Sequence, residues 1–198
     1  MKVLVAGATG KTGQRLVETL KAGGHAPVAM IRETSGKEAF GPGVETRQAD
    51  LTDLPADICD GCDAVVFAAG SGGSTGEEMT DKVDRDGAKS LIDLAARSRV
   101  SRFVMLSSAG AGDPDPDSDL AHYLKAKHDA DEHLKTSGLS YAILRPVALT
   151  EEDGSRDIRF GDDVDPKGEA ARGDVAAVLA SAVDAPDWDR DVRLMQSA

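Results

Sequence analysis

The stretch "HYLKAKHDADEHL", residues 122–134, places a lysine where a lysine is hard to keep. At roughly 100° per residue, Leu120, Tyr123, Leu124, Ala126, Ala130 and Leu134 share one broad apolar arc. Lys125, Asp129 and Glu132 fall opposite, while Lys127 falls inside the arc, almost in line with Leu134. An unpaired ammonium there is costly to desolvate, so Lys127 needs a partner. Two stand at helical spacing: Tyr123 one turn before it and Asp131 one turn after it. A Lys127–Asp131 pair would be structural, with Tyr123 an ordinary core residue. A Tyr123–Lys127 pair would be chemical. A positive charge beside a phenol lowers its pKa from about 10. A phenol so tuned can donate a proton to a substrate oxygen as a general acid.

A second chemical signal stands near the N-terminus. "GATGKTG" follows the apolar run "KVLVA" and opens a helical stretch, so Gly7, Gly10 and Gly13 form G-x-x-G-x-x-G in a strand–turn–helix context. Gly7 allows the tight turn, Gly10 lets backbone approach a pyrophosphate, and Gly13 lets the helix pack on the strand. The helix N-terminus offers free N–H groups and the positive end of a dipole to phosphates. At the end of the second strand, where a carboxylate would grip the ribose of NAD, stands Arg32, which suits a 2′-phosphate. Lys11 offers a second positive charge, and the neighbouring Glu33 keeps NAD as the alternative. The reading favours NADP(H) over NAD(H).

These groups need elements to hold them. Strand patterns are read at 2–6, 26–32, 44–50, 63–70, from 101, and at 140–146, with a small one in "RDIRF" and a closing one in "RDVRLMQ". Helical patterns follow the glycine loop and cover 76–98, the quoted segment, and "ARGDVAAVLASAVDA". Repeated alternation predicts an α/β fold of Rossmann type: a doubly wound, mostly parallel sheet with helices on both faces. One domain over 1–198 is expected, with a minimal substrate-side region at about 147–198. Loops 70–78 and 110–119 leave the carboxyl ends of strands, where ligands bind in open α/β sheets.

Composition sets the limits. Aromatics are only 4% of residues, so the core must come from Val, Leu, Ile and Ala, which suits a buried parallel sheet. A formal net charge of −12 argues against nucleic acid and anionic membranes as partners. Met1 runs directly into "KVLVAGATG" with no cleavage-site character, and no apolar run nears the ~20 residues of a membrane span. A cytoplasmic protein acting on a small molecule is expected, as a monomer or weak homodimer. Cys59 and Cys62 precede a strand rather than opening a helix, so they read as structural. "DPDPDSD" lacks the Gly and closing Glu of a calcium loop and reads as a solvated acidic loop. The four histidines form no ligand pattern, and no metal is expected.

"GATGKTG", "MIR", "ADLTD", "VVFAAG", "FVMLSS", "YLKAK", "LRP" and "RGDVA" occur in order along nearly the whole chain. With these marks the sequence resembles the short-chain dehydrogenase/reductase superfamily in its extended and atypical branches. It resembles more closely the small NmrA-like NAD(P)H-binding proteins, the group that includes biliverdin/flavin reductase B-type enzymes. The resemblance implies hydride transfer to a small carbonyl, quinone, flavin or similar acceptor. It implies Tyr123 as acid, Lys127 as its modifier and the anchor of the nicotinamide ribose, and Ser108 as substrate orienter. Cofactor contacts would come from Gly7, Thr9, Gly10, Lys11, Thr12 and Gly13, from Arg32, and from Asp50 and Leu51 at the adenine. Ala68, Ala69 and Gly70 would lie along the ribose, with Ser107 and Pro146 nearer the nicotinamide. Two positions depart from the pattern: Asp84 stands where the extended branch often has Asn, and Val147 follows "RP" where many relatives have Gly. The alternative is a catalytically silent NADP(H)-binding redox sensor of NmrA-like type. A nucleotide-sugar epimerase or dehydratase is disfavoured by the missing substrate domain.

Overall fold

Strand β1 (Lys2–Ala6) alternates its side chains between two apolar layers, and the buried inner strands of the sheet follow the same rule. Val3 and Val5 join Leu16, Val17 and Leu20 of helix α1 (Lys11–Ala22) and Val175 and Leu179 of α5 (Arg172–Ser181). Leu4 and Ala6 join Leu91 and Ile92 of α3 (Ala88–Arg97) and Ala130 and Leu134 of α4 (Ala121–Thr136). A period of two on a strand buried on both faces gives this split directly. The computed structural model describes residues 1–33, 40–72 and 75–198, so parts of the loop read at 70–78 lie outside it.

Six further strands complete the main parallel array. They are β2 (Ala26–Ile31), β3 (Glu45–Gln48), β4 (Ala64–Phe67), β5 (Arg102–Leu106), β6 (Tyr141–Pro146) and, late in the chain, β10 (Asp191–Ser197). Between the last two lie β7 (Ala148–Thr150), β8 (Ile158–Phe160) and β9 (Glu169–Ala171). The sheet order is β3-β2-β1-β4-β5-β6-β10-β8, all parallel except the β10–β8 pair. The chain turns one way from β1 to β2 and β3 and the other way from β4 onward. The switch between β1 and β4 opens a crevice at their carboxyl ends. The predicted mostly parallel, doubly wound sheet is therefore the fold observed.

Some elements differ from the sequence reading. The 76–98 helix divides into α2 (Glu77–Thr80), a π-helical stretch over Asp81–Gly87, and α3. The widened turns coincide with Asp84 pointing inward rather than to solvent, where it is fully buried. The last helix ends at Ser181, ahead of Ala185, because Pro186 follows and disfavours helix before it. Leu120 sits at the N-cap of α4 and is exposed, so the apolar face starts at Leu124. The parallel β7–β9 ribbon is too short to read from sequence. No helix among the described residues is long and apolar enough to cross a membrane.

The glycine loop shows two demands of packing and one exception. Gly7 has φ +81°, and a Cβ there would lie 2.6 Å from the Cα of Ala69. A Cβ on Gly13 would lie 2.0 Å from the Gly7 carbonyl oxygen. A Cβ on Gly10 would meet only that same oxygen, at 3.2 Å. Gly13→Ala should therefore cost about 3 kcal/mol or more, because backbone stands on both sides of the clash. Gly10→Ala should stay within about 1 kcal/mol of the wild type. Urea unfolding checks both, and equal midpoints for the two variants would contradict this packing.

Candidate active site

A cavity of about 660 Å³ opens at the β1–β4 switch. Gly7, Thr9 and Gly10 line it from the glycine loop, Arg32 from the end of β2, Asp50 and Leu51 from beyond β3, and Ala68, Ala69 and Gly70 from beyond β4. Met30, Ala49, Thr52, Ser71, Thr75, Met79, Lys82 and Val83 complete the wall. Its size is within the range of small-molecule and cofactor sites. At one end lies the N-terminus of α1, capped by Gly10 with no side-chain hydrogen bond and with no acidic residue in the first turn. Those N–H groups and the helix dipole make a seat for an anion. Gly10 has the least packing reason to be glycine and lies on this cavity, which fits close approach of a ligand to its backbone.

The other residues of the loop face elsewhere. The Lys11 ammonium pairs with Glu151 at 2.8 Å, and both side chains are more than half exposed. Thr12 is buried, and its hydroxyl accepts from Arg172 at 3.0 Å. Arg172 also reaches Glu151 at 3.2 Å, so the start of α5 clamps the start of α1 behind the loop. At the adenine side, Asp50 Oδ1 accepts from the Thr52 backbone N–H at 2.9 Å and from its hydroxyl at 2.8 Å. These bonds, with Arg32 nearby, hold the Asp50 carboxyl below its ordinary range. Arg32 lines both this cavity and an adjoining one, whereas Glu33 lines the adjoining one.

Beside the cavity, four buried polar side chains gather just beyond β5, on α4 and on the π-helical stretch: Ser107, Lys127, Asp131 and Asp84. Among the described residues Lys127 forms no close ion pair with Asp131, which corrects the structural pairing considered from the sequence, although its charge still pulls on the Asp131 carboxyl from farther off. Its Nζ lies 3.7 Å from Asp84 Oδ1 and 5.5 Å from the centre of the Phe67 ring. Asp131 Oδ2 instead accepts from Ser107 at 2.8 Å and from Arg145 Nε and Nη2 at 3.0 and 2.9 Å. Burial pushes the Asp131 carboxyl up in pKa against the pull of Arg145 and Ser107. Tyr123 is half-buried, one turn before Lys127. Among the described residues the Ser108 hydroxyl has only a long bond to the Ala109 carbonyl, at 3.3 Å. The Pro146 carbonyl accepts from the Ala109 N–H at 2.9 Å, which ties the serine loop to the end of β6. Ser107, Ser108, Tyr123, Lys127 and Pro146 thus lie outside the residues that line the 660 Å³ cavity.

Sequence reasoning passed over three supporting groups. Asp84 was seen only as a departure, and Arg145 only as part of "LRP". Asp174 was seen only inside "RGDVA". It is fully buried, and it accepts from the Arg156 N–H and guanidinium at 2.9 and 2.8 Å and from Ser197 at 2.7 Å. For Arg145 and Asp174 the available signal was a charged residue within an otherwise apolar stretch, whereas Asp84 stands among other charged residues in "DKVDRD" and offered none. Cys59 and Cys62 are free and buried. Burial and the neighbouring Cys62 push the Cys59 thiol up to about 12, which suits a structural role. Among the described residues no cluster is placed to hold a metal ion.

Residues 7–186 match a family described as NAD(P)H-binding. A Bacillus subtilis (strain 168) protein named as an uncharacterized sugar epimerase, YhfK, is 39% identical over 93% of this chain and 88% of its own length. A solved Bacillus halodurans structure, provisionally named an NAD-dependent epimerase/dehydratase, superposes with a TM-score of 0.93 at 37% identity, over 100% of this chain and 94% of its own. ChuY, an anaerobillin reductase from Escherichia coli O157:H7, superposes with a TM-score of 0.80 at 26% identity, over 100% and 97% of the two chains.

The Asp174 cluster gives a pH-dependent expectation. Burial raises its carboxyl pKa, but Ser197 and Arg156 outweigh that and leave it below the ordinary 3.8. A carboxyl depressed by folding adds stability above its unfolded value and loses it as pH falls through the folded one. Asp174→Asn should cost about 2 kcal/mol or more at neutral pH, and the gap to the wild type should narrow below pH 3.8. Urea melts across that range read the gap, and a constant difference would contradict the ion pair.

Proposed function

Because the chain belongs to the NAD(P)H-binding family, we propose that it is an NADP(H)-dependent oxidoreductase reducing a small carbonyl, quinone, flavin or similar acceptor. One observation carries the reading. The glycine loop, the bare α1 N-terminus, Arg32, Asp50, Leu51 and Ala68–Gly70 converge on one cavity of nucleotide size. Arg32 on that cavity, with Glu33 turned to the adjoining one, favours a 2′-phosphate over a free ribose hydroxyl. Gly10 and the first N–H groups of α1 would hold the pyrophosphate.

Bound there, the nicotinamide nucleotide supplies the hydride. The chain's own groups supply position and a proton. Lys127, held by Asp84, would anchor the nucleotide's ribose and keep positive charge near Tyr123. Tyr123 would donate its proton to the acceptor oxygen. Ser108, with only a weak bond to give up, would orient that oxygen, while Ser107 is engaged by Asp131. Residues from 147 on add β8 and β10 to the main sheet, pack α5 on one of its faces and form the separate β7–β9 ribbon.

A screen of quinones, flavins and aldehydes with NADPH tests the reading. Tyr123→Phe should lower carbonyl turnover by roughly 100-fold while NADPH binding stays near that of the wild type. Carbonyl turnover undiminished in Tyr123→Phe would overturn the acid assignment. Tight NADPH binding without turnover of any acceptor would favour a redox sensor instead.

A further inference from the structure

We propose that Asp84 is a positioning residue of the nucleotide site: one buried carboxylate sets both the Lys127 ammonium and the backbone wall of the cavity. The inference rests on the nucleotide-binding reading above. Asp84 has no exposed surface. Its Oδ2 accepts from the Ser71 N–H at 2.9 Å, and Ser71 and Gly70 line the cavity. Its Oδ1 lies 3.7 Å from Lys127 Nζ and, among the described residues, has no hydrogen-bond partner. The lysine is thus held by charge and by the Phe67 ring, without a hydrogen bond to Asp84 that would take up one of its three N–H donors.

The chain fixes Asp84 where it is. The π-helical stretch Asp81–Gly87 carries it, and π turns often mark functional positions in helices. At the end of that stretch a Cβ on Gly87 would lie 2.9 Å from both the Cβ and the carbonyl oxygen of Leu51, another cavity residue. Thr80 and Ser71 share a hydroxyl bond of 3.2 Å alongside. An Asn at 84 could still accept from Ser71, but it could not balance Lys127. The acid is needed for the charge, and it makes the cavity wall and the lysine respond to one group.

Asp84→Asn, Lys127→Met and the double variant test this. NADPH dissociation constants are measured by fluorescence and unfolding by thermal melting, alongside turnover with any acceptor found. Asp84→Asn should weaken NADPH binding roughly tenfold, and in the Lys127→Met background it should add no further loss. The double variant, with no lone buried charge, should melt above Asp84→Asn. Wild-type affinity in Asp84→Asn would overturn the proposal, as would a further loss on adding it to Lys127→Met. Should Asp84→Asn fail to fold, a folded double variant with the NADPH affinity of Lys127→Met supports the proposal, and a double variant that also fails to fold overturns it. A wild type that binds neither NADPH nor NADH would remove the nucleotide reading and this inference with it. Binding by the wild type that is unchanged in Asp84→Asn would sink this inference alone.

Discussion

Three carboxylates without exposed surface organise the carboxyl end of this sheet, and each faces a cation. Asp84 faces Lys127, Asp131 faces Arg145, and Asp174 faces Arg156. A buried charge without its partner is strongly destabilising, so each pair fixes the segments that carry its members. Asp84 fixes α4 against the loop after β4. Asp131 fixes α4 against β6 and the serine end of β5. Asp174 fixes the turn at Gly154–Arg156 and the end of β10 against α5. Such pairs add little net stability over apolar packing. What they provide here is position, at the end of the sheet where a ligand would meet it.

The sheet order supplies the crevice, and the glycines let the chain lie close enough to use it. Gly7 meets the backbone of Ala68 and Ala69 across the switch point, and Gly13 lets α1 settle on Gly7. Behind them Arg172 links Thr12 and Glu151, so the phosphate-seating end of α1 is braced by α5. The result is a polar seat at one end of the cavity, with Lys127 linked to the cavity wall through Asp84 and Ser71, and with Tyr123 and Ser108 outside the lining.

Much of this was legible from residue order. Strand–helix alternation predicts the doubly wound sheet, because parallel neighbours need crossover helices. The glycine spacing and Arg32 point to the cavity because local geometry and chain order place them together. The face of α4 was also readable, and with it the need of Lys127 for a partner. The partner itself was not. Helical spacing offers only residues one turn away, whereas Asp84 comes from a π-helical stretch about forty positions earlier, brought close by tertiary packing. Lys11 shows the same limit: its place in the glycine loop suggested a phosphate contact, but Glu151, from a distant turn, claims its charge.

The proposed occupant of the crevice at the β1–β4 switch is a nicotinamide nucleotide bearing a 2′-phosphate. The deciding measurement is parallel calorimetric titration of the protein with NADPH and NADH. One site per chain is expected, with NADPH bound at least about tenfold more tightly if Arg32 makes a charge-assisted contact. Tighter binding of NADH, or binding of neither nucleotide, would contradict it.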